Sequence, residues 1–163
     1  DTNADGYDDL LVGAPYEDSG GYASGAAYLV LGPVSGEVDL SSADAKLIGE
    51  NPGDKAGYSV SSAADVDADG FADALIGAHD EDSGGSTAGA AYLVLGPMSG
   101  EVDLSAADAK MVGESADDYA GISVSSAGDV DADGRADIII GAWYESSGSS
   151  EAGAAYLLYG GNL

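Results

Sequence analysis

A stretch of sequence that returns every 64 residues sets what this chain can fold into. DVDADGFADALIGA from Asp65 recurs as DVDADGRADIIIGA from Asp129 with 11 of 14 residues identical, and DTNADGYDDLLVGAP stands one interval earlier, from Asp1. GAAYLVLGP from Gly25 returns from Gly89, and GAAYLLYGG follows from Gly153. Between them SGEVDLSSADAKLIGE from Ser35 reappears from Ser99 with 13 of 16 residues identical. One supersecondary unit is duplicated in tandem, and such arrays fold by stacking like on like.

Within a unit, four short apolar or alternating runs bounded by Gly, Ser, Asp or Pro read as strands. In the middle unit they fall at 58–64, 73–78, 90–95 and 109–113. No segment has sustained helical periodicity; Val38 to Lys46 and its copy Val102 to Lys110 allow a helical turn and otherwise read as loop. A lone four-stranded sheet cannot cover its own faces, so the fold class expected is all-β, with propeller blades of four-stranded antiparallel sheets. The period exceeds the ~40–45 residues of WD40 blades and the ~50 of kelch blades. A β-helix would show six- or nine-residue sub-repeats, and none is present.

Thirty acids against four bases give a net charge of −26, a field that repels nucleic acid and anionic lipid and draws in cations. No apolar run approaches the roughly 18 residues of a membrane-spanning helix. The absence of cysteine removes disulfides, thiolate nucleophiles and cysteine-based zinc sites together. With no initiator Met and no signal-like segment, and an opening inside the repeat at Asp1, the sequence reads as a piece of a longer or processed protein.

Each unit carries D-x-[DN]-x-D-G-x-x-D: Asp1, Asn3, Asp5 and Asp9; Asp65, Asp67, Asp69 and Asp73; Asp129, Asp131, Asp133 and Asp137. Hard oxygens at alternate positions suit calcium, which takes six to eight of them. Positions 1, 3 and 5 would give side-chain oxygens and position 9 would close the shell. Position 7 (Tyr7, Phe71, Arg135) would give only a carbonyl, which fits its varied side chains, while Gly6, Gly70 and Gly134 permit the sharp turn. Three loops imply about three calcium ions. Magnesium, which keeps its waters, suits so many protein oxygens less well. An EF-hand needs an acid at position 12 and flanking helices; here position 12 is Val12, Ile76 or Ile140 inside strand-like runs.

The loops, with Ala56-Gly57 and Ala120-Gly121 before them and Gly13-Ala14-Pro15, Gly77-Ala78-His79 and Gly141-Ala142-Trp143 after them, resemble the FG-GAP repeats of integrin α-chain propellers and of many secreted proteins. Alanine replaces the aromatic of the FG pair, and the proline of the triplet occurs once. The resemblance implies a propeller of about seven blades, calcium in hairpin loops on one face, and partners on the opposite face or rim. On that frame residues 1–50 are a blade lacking its first strand, 51–114 a whole blade and 115–163 a blade lacking its last: ten strands, about two and a half blades of a larger ring, with open edges that invite self-association.

Catalysis finds no constellation. His79 is the only histidine and reads as a loop residue, and the carboxylates recur symmetrically where acid–base work uses one asymmetric pair. Tyr16, Trp143 and Tyr144 lie in segments that differ between units, where recognition of a protein or glycan would sit, although interblade packing claims at least one of them. The function expected is a non-catalytic, calcium-stabilised module for interaction or adhesion, extracellular or on a cell surface. The alternatives are an accessory propeller of a secreted hydrolase and a structural surface-layer component. The loops hold 11 of the 30 acids, so ions alone do not account for the charge, and a salt-adapted source is the expectation for the remainder.

Overall fold

A computed structural model describes residues 1–163. Eleven strands form three sheets. The first contains β1 (Leu10–Ala14), β2 (Ala26–Val30) and β3 (Ala45–Ile48), the second β4 (Ser59–Ala64), β5 (Asp73–Ala78), β6 (Ala90–Val94) and β8 (Ala109–Val112), and the third β9 (Ala120–Gly128), β10 (Asp137–Ala142) and β11 (Ala154–Leu158). These are propeller blades built from one register. Leu10 faces Val30, Ala74 faces Val94 and Ile138 faces Leu158, each pairing displaced by one repeat from the last. No helix is long and apolar enough to cross a membrane.

The eleventh strand, β7 (Gly100–Asp103), corrects the expected ten. It belongs by sequence to the second unit but pairs parallel with β3 of the first, Ala45 opposite Gly100 and Ile48 opposite Asp103. A 3-10 turn at Leu104–Ala106, capped by Asp103 through the Ser105 N–H, then carries the chain back to β8 in its own sheet. The copy at Leu40–Ser42 is capped by Asp39 in the same way. GEVD carries almost no apolar signal, because its pairing is with a neighbouring blade's edge.

Two apolar cores lie between sheets. Ala27, Leu29, Ala45 and Leu47 of the first sheet meet Ala74, Ile76, Ala90 and Tyr92 of the second. From the other face of the second sheet Leu75, Ala91 and Leu93 meet Ile138 and Ile140 of the third. All six residues of β5 are buried, because alternate side chains serve opposite cores, the pattern of a strand covered on both faces.

Interblade spacing is set by glycine against glycine. A methyl on Gly13 would strike the Gly57 carbonyl, and one on Gly77 would strike the Gly121 carbonyl. Gly57 and Gly121 themselves have φ of +80° and +79°. The FG-like glycine of one unit therefore packs against the triplet glycine of the unit before it, an approach only hydrogen side chains allow. Gly77→Ala is expected to destabilise the chain by about 3 kcal/mol, as backbone cannot yield like a flexible side chain; urea unfolding measures it, whereas Gly36→Ala, with open space around it, tests positive φ alone.

Candidate metal centre and the opposite face

The three aspartate loops share one backbone. Position 4 is left-handed at Ala4, Ala68 and Ala132 (φ 58°, 63° and 62°), and position 6 at Gly6, Gly70 and Gly134 (φ 89°, 95° and 91°). Two left-handed residues curl the segment so that its N–H groups point inward at the carboxylates. In the middle loop, Asp65 accepts from the N–H of Asp69 at 3.1 Å and of Gly70 at 3.0 Å, Asp67 from Asp69 at 3.1 Å, and Asp69 from Phe71 at 2.9 Å. The same bonds recur from Asp129, Asp131 and Asp133, and from Asp1, Asn3 and Asp5.

Position 9 ties the loop to the rest of the blade. Asp73 accepts from Val66 N–H at 2.8 Å and from Gly96 N–H at 2.9 Å, tying the start of the loop to the end of β6. Asp137 does the same with Val130 and Gly160, and Asp9 with Thr2 and Gly32. Burial raises the Asp73 carboxyl, and the neighbouring charges of Asp67 and Asp65 add to the rise against the two N–H bonds. At Asp9 burial pushes upward too, but the hydrogen bonds from Gly32 and Thr2 prevail and lower it.

Carboxylate oxygens of Asp65, Asp67 and Asp73 lie within 4.8 Å of one another, as do those of Asp129, Asp131 and Asp137. Each such pair repels by about 3 kcal/mol at an effective dielectric of about 20, and no base pairs with any of these carboxylates. An all-oxygen, trianionic donor set of this kind fits a hard divalent cation. The position-5 carboxylates, Asp69 and Asp133, stand outside these triads. The first loop brings the amide of Asn3, which donates to Asp5, where the others bring a carboxylate.

The side chains at position 7 differ between the loops. Tyr7 is exposed, but the Arg135 side chain reaches across the blade boundary to the Asp67 carbonyl at 2.7 Å. The loops are also linked main chain to main chain: Ala72 N–H donates to the Asp1 carbonyl at 3.0 Å, and Ala136 N–H to the Asp65 carbonyl at 2.9 Å.

At the other end of the strands, acids that the sequence leaves unassigned organise the loops. Glu17, Glu81 and Glu145 occupy one repeat position and accept from Ser19, Ser83 and Ser147. Asp54 and Asp118, both buried, accept from the N–H of Asn51 and Ser115. The repeat spacing of these residues was the available signal, since each is two or three residues from its donor.

His79 lies buried rather than free in its loop, 4.1 Å from the Tyr58 ring and 6.2 Å from the Tyr119 ring. Its Nε2 meets Asp80 at 3.1 Å and its Nδ1 has no partner. Burial lowers its pKa, against the pull of Asp80. The row continues from Tyr119 to Tyr144 at 5.6 Å and to Trp143 at 5.2 Å. Trp143 (59% exposed) and Tyr16 (68%) present their rings to solvent, and Tyr144 is half engaged in the row.

The FG-GAP repeat model matches residues 1–30, 56–94 and 120–158. The chain is 29% identical over 158 residues to integrin alpha pat-2 of Caenorhabditis briggsae, covering 88% of the chain and 12% of that protein. It is 31% identical over 170 residues to phosphatidylinositol-glycan-specific phospholipase D of Bos taurus, covering 99% of the chain and 20% of that protein. Integrin alpha-5 of Xenopus laevis is 30% identical over 151 residues, 88% of the chain and 14% of its own length. The chain thus spans a fifth or less of these relatives.

Asp54 yields a pH prediction. Burial pushes its carboxyl up to about 6, with Glu81 and Glu50 adding to the rise against the Asn51 bonds. The folded state then binds a proton more tightly than the unfolded chain, so this group destabilises the fold above pH ~6 and the penalty fades as pH falls toward ~4. Asp54→Asn should be more stable than the parent at pH 7 by on the order of 2 kcal/mol and lose that advantage by pH 4, read from urea midpoints.

Proposed function

Because the chain belongs to the FG-GAP repeat family, in its integrin-α-like form, we propose that it is a non-catalytic extracellular or cell-surface propeller module whose blades are stabilised by calcium and whose loops engage a protein or glycan. The observation that carries the calcium reading is the pair of aspartate triads within 4.8 Å. Asp65, Asp67 and Asp73 hold one ion, Asp129, Asp131 and Asp137 a second, and Asp1, Asn3 and Asp9 a third and weaker one. Asp5, Asp69 and Asp133 and the carbonyls of Tyr7, Phe71 and Arg135 complete the shells. The ion supplies positive charge where three carboxylates converge, and binding energy becomes folding energy. The units belong to a ring of about seven blades.

The opposite face supports recognition: Tyr16 and Trp143 are exposed on a scaffold whose loops are tied by Glu17, Glu81 and Glu145. A second reading, favoured by the match over 99% of the chain to a phospholipase D, is an accessory propeller of a secreted hydrolase. Adhesion-type binding that persists in the isolated repeats supports the first; dependence on a linked catalytic domain supports the second.

Thermal unfolding in chelator and in calcium tests the ion. With a Kd of about 0.1 mM, calcium at about 2 mM stabilises each site by about 1.8 kcal/mol, and three such sites raise the midpoint by about 15 °C. Asp67→Ala should forfeit part of that rise and leave the chelated midpoint nearly unchanged. Asp73→Ala should lower the chelated midpoint as well, since two N–H groups lose their acceptor at about 3 kcal/mol. A midpoint indifferent to calcium, with no heat of binding, sinks the reading.

A further inference from the structure

The amide that follows an aspartate is a latent nucleophile. Where the next residue is glycine or serine, too small to shield it, that nitrogen attacks the aspartate Cγ; the bond from Cγ to a carboxyl oxygen breaks, water leaves, and a five-membered imide forms. Water then opens the ring at either carbonyl, restoring aspartate or leaving isoaspartate, whose main chain runs through the side-chain carboxyl carbon. The reaction needs no reagent but water and leaves the mass unchanged.

Five such pairs occur in the chain: Asp5-Gly6, Asp18-Ser19, Asp69-Gly70, Asp82-Ser83 and Asp133-Gly134. All five aspartates are exposed, yet in every pair the following amide is already taken by a different carboxylate. Gly6 N–H donates to Asp1 at 2.9 Å, Gly70 N–H to Asp65 at 3.0 Å and Gly134 N–H to Asp129 at 3.0 Å. Ser19 N–H donates to Glu17 at 2.9 Å and Ser83 N–H to Glu81 at 3.0 Å. At the glycine pairs the electrophile is held too, since Asp5, Asp69 and Asp133 each accept from the N–H two residues on at 2.9 Å.

The carboxylates that guard the two kinds of pair are not equally secure. Glu17 is anchored by Lys46 at 2.9 Å and Glu81 by Lys110 at 3.0 Å. No base reaches Asp65 or Asp129, and each belongs to a triad of like charges whose repulsion drives it off its N–H donors. Packing does not close the glycine pairs either: beyond the adjoining residues, no heavy atom lies within 4 Å of where a Cβ would stand on Gly6, Gly70 or Gly134. We propose that Asp69-Gly70 and Asp133-Gly134, with Asp5-Gly6 as their copy, are sites of spontaneous conversion to isoaspartate, each gated by the carboxylate at position 1 of its loop, while Asp18-Ser19 and Asp82-Ser83 stay closed. Release of Gly70 by Asp65 is a local opening, and it sets the rate. Isoaspartate at position 69 adds a methylene to the main chain three residues before Ala72, whose N–H bonds the Asp1 carbonyl of the preceding loop, so one event loosens two loops.

The gate is made of hydrogen bonds between protein groups, so it is tested in chelator, apart from the calcium reading. The protein is aged at neutral pH and body temperature, folded and in guanidinium, then digested, and isoaspartate at each pair is located by electron-transfer fragmentation, which cleaves the added main-chain bond. Each folded rate is divided by the same site's rate in guanidinium. That quotient should fall below about 0.1 at the serine pairs and be at least about threefold larger at the glycine pairs. Asp65→Ala should speed Asp69-Gly70 at least about threefold and leave Asp133-Gly134 in the same molecule unchanged. Asp67→Asn, which puts at this position the amide that Asn3 brings to the first loop, relieves the repulsion on Asp65 and should slow Asp69-Gly70, a direction that general loosening of the fold cannot produce. Glycine pairs that react as fast folded as denatured, serine pairs that match them, or variants that leave the Asp69-Gly70 rate unmoved overturn the proposal.

Discussion

Each sheet in this molecule is apolar on both faces and too small to hide either one, so every blade depends on a neighbour. Ile76 and Leu75 are adjacent on β5 yet serve different cores, one shared with the first sheet and one with the third. Burial of such residues is worth roughly 1.5–3 kcal/mol each, and none of it exists for a blade alone. Contact between blades must therefore be close, and the alternation of Gly13 with Gly57 and of Gly77 with Gly121 sets how close. The motif that names the repeat is, physically, a pair of missing side chains on facing backbones.

Carboxylates carry out the second task, the holding of loops. The composition suggests an acidic surface adapted to salt, yet a large share of the acids outside the aspartate loops accept backbone N–H groups. Asp44 takes Leu31, Asp108 takes Leu95, Asp39 and Asp103 cap 3-10 turns, and Asp18 and Asp82 brace the loops beyond β1 and β5. A carboxylate is acceptor-only, and in a chain so rich in turns, donors are the groups left over. The charge is in part a by-product of how the turns are closed.

The repeat made most of the architecture legible. β5 begins at Asp73 and ends at Ala78 as its apolar run predicts, because a strand covered on both faces declares itself by composition. β7 did not declare itself, since its partner lies in a different unit and none of its residues is buried. The aspartate triads were legible at positions 1, 3 and 9, whereas the twofold acceptor role of Asp73 depends on Gly96, 23 residues away across the end of β6. The varied side chains at position 7 carried no signal of the bond that Arg135 makes to the preceding loop, which depends on the neighbouring blade. His79 was read as a loop residue, and only the approach of Tyr58 and Tyr119 shows that it is enclosed.

β7 alters how such an array would come apart under load. Had every strand stayed in its own sheet, pulling on the chain could strip one blade and leave the next intact, like beads leaving a string. Since Gly100–Asp103 is woven into the preceding sheet, extraction of the second blade must first shear a parallel ribbon off the first. Mechanical failure then spreads across a seam instead of stopping at it, and the unit that resists force is larger than the unit that repeats.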